Sequence, residues 1–194
     1  MDRTSFAMSD YSMLPPDLPR PLDDGACNHL VGMRMPSITL PSTAGRAVDL
    51  GALPGGRTII YAYPMTGVPG RPLPAGWNLI PGARGCTPQS CGFRDHHGEL
   101  ADLGAGVFGL STQTTDYQRE MAERLHLPFE VLSDADLRLS RALALPLFEV
   151  EGKMLIKRLT LIVRDGAIEH VFYPVFPPDR SASEVIAWLK ARNS

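Results

Sequence analysis

The chain is poor in cysteine, with three among its 194 residues. That is too few for the disulfide framework of a small secreted scaffold. A close pair in a reducing compartment points instead to catalysis, redox work or metal binding. No apolar run comes near the roughly 20 residues that a membrane-crossing helix needs. Positive charge is not in excess either: 19 Lys and Arg face 21 Asp and Glu, for a formal net charge of -2. The basic patch that nucleic-acid binding normally requires is therefore missing. The stretch from Met1 to Gly25 mixes charges and lacks the apolar centre of a secretory signal. The expected location is the cytoplasm, with no membrane, nucleic acid or cofactor involved.

What the chain does have is enough apolar sequence, 44%, for one full core. Its 18 Pro and 18 Gly are clustered. Pro15, Pro16, Pro19 and Pro21 mark residues 1–29 as an arm, either flexible or an extended strap. The globular domain is expected over 30–194. A second cluster makes Met65 to Arg84 a long loop around Trp77, and loops of that length in compact domains are usually functional or disordered.

Between these clusters the periodicity reads clearly. Ile38 to Leu40 and Ala47 to Leu50 suggest a hairpin, and Arg57 to Tyr63 a strand buried on both faces. Thr87-Pro88 starts a helix that Gly104 ends. Then come a strand at 107–111, a helix at 115–125, a strand at 129–132 and a helix at 135–143. The strands at 158–163 and 168–172 flank an Asp165-Gly166 turn, and a helix at 182–191 closes the chain. Strand-helix-strand units favour parallel pairing and the late hairpin adds antiparallel strands. The expected fold class is α/β, a mixed central sheet with helices on both faces.

The informative run is Gly85-Cys86-Thr87-Pro88-Gln89-Ser90-Cys91-Gly92-Phe93-Arg94-Asp95. A thiol at a helix start lies at the positive end of the helix dipole, which favours its anionic form. The dipole contributes about 0.3–1 kcal/mol, less than the roughly 1.36 kcal/mol that one pKa unit represents. A cation has to help, and Arg158, which opens a strand, is a candidate. Cys91 follows five residues later. On a helix that spacing separates two side chains by about 140° and roughly 7.5 Å along the axis. A bond between them would require the first helical turn to unwind. The same geometry argues against a two-cysteine metal clamp.

These residues resemble the peroxiredoxins, nearest to the Q-type or bacterioferritin-comigratory group. The likeness rests on Tyr61-Ala62-Tyr63-Pro64, the cysteine run, Val107 to Thr112, Leu132-Ser133-Asp134 and Arg158 to Phe172, in order over about Gly32 to Ala191. It implies a thioredoxin-like fold and a thiol peroxidase. By resemblance, Cys86 is the peroxidatic cysteine that a hydroperoxide oxidises to sulfenic acid. Cys91 is the resolving cysteine, giving an intramolecular disulfide that a thioredoxin-like reductant reopens. Arg158 stabilises the thiolate and orients the peroxide, with Gln89 supporting it. The family places Thr or Ser three residues before the cysteine, where this chain has Ala83. An insertion, Met65 to Arg84, separates Pro64 from the cysteine. Thr66 is the hydroxyl that takes the role if the loop bulges and its ends meet, and Thr87 is a weaker substitute. The assembly expected is a monomer or homodimer.

The remaining candidates read as structural. Trp77 pins the long loop, His96-His97 sits on a solvated helix face, His126 and His170 carry no motif, Arg94-Asp95 forms an ion pair, and Cys27 is a bystander thiol. Two rivals keep the fold: a disulfide oxidoreductase or redox sensor with weak peroxidase activity, and a copper-binding module.

Overall fold

The computed structural model describes residues 11–193; the first ten residues of the expected arm and Ser194 lie outside that range. Strand β1 (Thr39–Pro41) pairs antiparallel with β2 (Ala47–Asp49). Strand β3 (Arg57–Ala62) leads into the long loop, which holds a single 3-10 turn, Trp77–Leu79. Helix α1 (Cys86–Asp95) and helix α2 (His97–Asp102) follow, then β4 (Ala105–Ser111), α3 (Thr115–Arg124), β5 (Glu130–Ser133) and α4 (Arg138–Ala142). A hairpin of β6 (Leu147–Val150) and β7 (Lys153–Ile156) precedes β8 (Leu159–Arg164), β9 (Ala167–Phe172) and α5 (Ser181–Lys190).

The main sheet has the order β5-β4-β3-β8-β9. Strand β3 is central, parallel to β4 and antiparallel to β8. Its alternation explains why both faces are covered. Ile59 and Tyr61 enter one core with Phe93, Leu100, Met121 and Val185, from α1, α2, α3 and α5. Ile60 and Ala62 enter the other with Leu40, Val48 and Leu139, from the β1-β2 hairpin and α4. A strand whose successive side chains point to opposite faces must be apolar throughout to serve two cores. The mixed sheet flanked by helices is the architecture the sequence implied. No helix among the described residues is long and apolar enough to cross a membrane.

Two details differ from the sequence reading. The expected helix from Thr87 to Leu103 is broken at His96, whose backbone (φ -98°, ψ 7°) ends α1 and precedes α2. His96 and His97 therefore flank a kink rather than share a continuous face. The β6-β7 hairpin was not expected. It turns at Glu151-Gly152, both with positive φ (50° and 75°), the conformation a tight hairpin turn demands. Val150 and Leu155 from it pack with Trp77 and Ala83, so this hairpin is the surface that pins the long loop.

Candidate active site

The start of α1 is fixed by a residue that has no side chain. Gly85 adopts φ +109°, and a Cβ there would lie 2.4 Å from Pro178 Cγ and 2.8 Å from Leu14 Cδ2. Both the backbone conformation and the space exclude other residues. Cys86 is consequently the first residue of the helix and only 3% exposed.

Arg158 reaches it because of strand register. Leu159 pairs with Ala62, so the preceding residue stands beside the end of β3, where the chain turns into the loop. Its Nη2 donates to the Cys86 sulfur at 3.2 Å, to the Ala83 carbonyl at 3.0 Å and to the Arg84 carbonyl at 3.3 Å. Its Nε donates to the Gly82 carbonyl at 3.3 Å. Its Nη1 donates to Gln89 Oε1, and Gln89 Nε2 donates in turn to Ser181 Oγ at 3.2 Å. Arg158 is 3% exposed, and a buried cation needs compensation. Its hydrogen-bond partners among the described residues are carbonyl and amide oxygens and one sulfur; none is a carboxylate. The sulfur is the partner among them that can carry a full negative charge.

Thr66 is brought back to the cysteine despite the insertion. It lines the same narrow pocket as Cys86 and Thr87, and is buried. Gln113 Oε1 accepts from the Thr66 amide at 3.1 Å and from its hydroxyl at 3.3 Å. Tyr117 donates to the Thr66 carbonyl at 3.0 Å. The loop thus bulges outward while its ends meet. Thr66 shares the pocket of Cys86, and Arg158 meets the same cysteine at its sulfur.

Cys91 does not join them. It sits on α1 beyond the first turn, half-buried, and all three cysteines are free. Burial pushes its thiol up from the ordinary range, opposed by the positive charge of Arg94. That arginine pairs with Asp95 at 2.8 Å and donates to the Leu125 carbonyl at 2.9 Å. Cys27 is buried in the opposite core. His170 stacks on Trp188 with ring centroids 4.9 Å apart, and burial lowers its affinity for a proton. Among the described residues no three His, Cys, Asp or Glu side chains gather into a ligand set, so the copper-binding reading gains no support.

Sequence reasoning missed four participants: Gln113 and Tyr117, which hold Thr66; Ser181, which holds Gln89; and Tyr11, which lines the pocket. Gln113 follows directly on Ser111-Thr112, a segment that already carried the resemblance, and its place at the end of β4 was the available signal. Tyr11 had none.

Residues 30–186 match the protein family described as Redoxin. Peroxiredoxin Bcp of Escherichia coli strain K12 is 32% identical over 164 residues, covering 80% of this chain and 92% of that protein. Putative peroxiredoxin bcp of Coxiella burnetii is 28% identical over 162 residues, covering 82% and 97%. The chloroplastic peroxiredoxin Q of Oryza sativa subsp. japonica is 26% identical over 160 residues, and this chain spans only 66% of its length. Among solved structures, peroxidoxin BcpB from Mycobacterium tuberculosis has a TM-score of 0.69 at 26% identity, covering 86% of this chain and 100% of that one. Peroxiredoxin Q of Xanthomonas campestris has a TM-score of 0.63 at 22% identity, covering 91% and 99%, a likeness of fold alone.

Proposed function

The chain belongs to the redoxin family and, within it, to the peroxiredoxins of the Q or Bcp kind, and from that premise we propose that it is a thiol-dependent peroxidase working through Cys86. The observation that carries the assignment is the Arg158 guanidinium, 3.2 Å from the sulfur and without an acidic partner among the described residues. The Cys86 thiolate attacks the terminal oxygen of a hydroperoxide, ROOH. The O–O bond breaks, the leaving alkoxide takes a proton and departs as ROH, and the sulfur becomes a sulfenic acid. Hydrogen peroxide and organic hydroperoxides share this chemistry. Arg158 opposes the negative charge passing along the S–O–O line, and Thr66 supplies a hydroxyl at the same pocket.

Cys91 then resolves the product. Its thiol attacks the sulfenic sulfur, water leaves, and a Cys86–Cys91 disulfide forms. Both residues lie in the intact α1, five positions apart, so the first turn must unwind before the sulfurs meet. Unwinding also exposes Cys91 to water, relieving the burial that disfavours its thiolate. A thioredoxin-like dithiol reduces the disulfide by exchange and is itself oxidised. In this proposal residues 1–29 are an arm on a catalytic domain, 30–194. The enzyme acts in the cytoplasm as a monomer or homodimer.

Thr66 standing in the Cys86 pocket favours peroxidase activity over the sensor reading, which was motivated by the vacant hydroxyl position at Ala83. The test is stopped-flow oxidation of the reduced protein by hydrogen peroxide. A rate orders of magnitude above that of free cysteine, lost in Cys86→Ser, is expected. A rate no faster than free cysteine would contradict the proposal.

A further inference from the structure

The space above the Cys86 sulfur is small. The pocket that Cys86 shares with Thr66 and Thr87 has a free volume of about 10 Å³, close to what a single water needs. Among its lining residues are two aromatics that belong to neither α1 nor the main sheet. One is Trp77 of the long loop; the other is Tyr11 of the arm.

Tyr11 is held there from several directions. It is 7% exposed. Its hydroxyl donates to the Arg71 carbonyl at 2.6 Å. The Arg84 guanidinium carbon stands 5.1 Å from the ring centroid, within cation–π reach. The ring lies so close on Gly67 that a Cβ there would be 2.8 Å from it. The next residues continue the contact: Arg84 Nη2 donates to the Met13 carbonyl at 3.4 Å, and Leu14 fills the space beside Gly85. Residues 11–14 form no helix and no strand ladder, so side-chain contacts of this kind are what keep them down. Residues 11–14 thereby form a strap along the pocket, from the loop that carries Thr66 and Gly67 to the start of α1.

We propose that Tyr11 is a specificity-determining residue: the strap admits hydrogen peroxide to Cys86 and retards hydroperoxides with a bulky alkyl or aryl group, which react when Tyr11 swings away. The inference rests on the reading of Cys86 as the attacking thiol. The reaction at sulfur is the same for either substrate; what differs is the room needed behind the O–O bond. A wall that must move for one substrate and not for the other discriminates between them by its cost of displacement.

The test is a single-turnover measurement in the reduced full-length protein, following tryptophan fluorescence, with hydrogen peroxide and with cumene hydroperoxide. The quantity read is the ratio of the two second-order rate constants, cumene over hydrogen peroxide. Because both rates come from the same preparation, partial unfolding cancels. In Tyr11→Ala the ratio is expected to rise about tenfold. Tyr11→Phe keeps the ring and should stay within about threefold of the parent, the scale of one lost hydrogen bond. Leu14→Ala loosens the strap without opening the wall itself, and should raise the ratio by a smaller factor. If Tyr11→Ala does not fold, Leu14→Ala decides by the same measure. An unchanged ratio in the deciding variant overturns the proposal. Cys86→Ser, run alongside, separates the two readings: a transient with either peroxide in that variant means the underlying assignment fails, whereas a silent Cys86→Ser with an unchanged Tyr11→Ala ratio removes the strap alone.

Discussion

Cys86 and Cys27 are buried to nearly the same degree, 3% and 6% exposed, yet the protein surrounds them with opposite charges. Cys27 sits under Asp23 and Asp24; burial first, and then those carboxylates, push its thiol up to about 12. The nearby cation, Lys157, is already committed to Asp24 at 2.9 Å, and with Tyr173 it holds that carboxyl down to about 2. Cys86 has the reverse arrangement, a helix start behind it and the Arg158 guanidinium on its sulfur. Burial alone therefore does not decide what a cysteine does. The sign of the charge aimed at the sulfur, and whether that charge is already spent on another partner, decides it.

The hardest way to break this contrast is to exchange the roles. Cys86→Ser should abolish peroxide turnover in a coupled steady-state assay, while Cys27→Ser should keep it within about twofold, as expected for a residue away from the chemistry. Comparable losses in both would erase the distinction. Next in size, Arg158→Met should slow the first oxidation by about 10²–10³-fold, the range seen when a positioned donor to developing charge is removed. Arg158→Lys should recover only part of this, because an ammonium cannot hold Gln89 and the carbonyls in one fork. A loss below about threefold in Arg158→Met would detach the cation from the chemistry.

Cys91→Ser sharpens a third point, the separation of attack from resolution. Its first turnover should remain, and its recycling by a thioredoxin-like dithiol should fall by about tenfold or more, since the remaining sulfenic acid lacks its intramolecular partner. Steady-state and burst measurements on one sample distinguish the two steps. The smallest expected effect concerns pH. A thiol whose folded value lies above its unfolded one binds its proton more tightly when folded, so the stability it contributes is intact below the unfolded value. It is lost as pH rises through the window from the ordinary 9.0 toward about 12. Urea unfolding at about pH 8 and about pH 10.5 should therefore show a decline to which Cys27 contributes on the order of 1–3 kcal/mol. Cys27→Ala should flatten that decline while losing some stability at every pH through packing. An unaltered slope would mean that Cys27 is not the group responsible.

The parts of this arrangement that lay open in the sequence are those set by local chemistry and period. Ile59, Ile60, Tyr61 and Ala62 announce a central strand because a strand feeding two cores has no polar position to spare. Arg158 was legible because it immediately precedes a strand that pairs with that one, and Gly85-Cys86-Thr87-Pro88 because helix starts have a residue grammar. Thr66 was reached by asking which hydroxyl could replace the one absent at Ala83. The β6-β7 hairpin was harder: its strands are short and half-exposed, with burial running outward at Glu149 and Lys153, so the alternation is weak although Glu151-Gly152 carries a turn signal. The break at His96 has no proline or glycine at the kink to mark it. Tyr11 was out of reach, since its place depends on contacts with Gly67, Arg71 and Arg84 that no local pattern encodes.

The central claim is that Cys86 is oxidised and Cys91 answers it, with Cys27 a bystander. The direct measurement is the mass of the protein after one equivalent of hydrogen peroxide, with the product mapped by trypsin. Cleavage after Arg84 and Arg94 leaves both cysteines in one peptide, Gly85–Arg94. The expected result is the loss of two hydrogens from that peptide, with Cys27 still a free thiol. Oxidation found at Cys27, or a peptide in which Cys86 has gained oxygen while Cys91 stays free, would contradict the account.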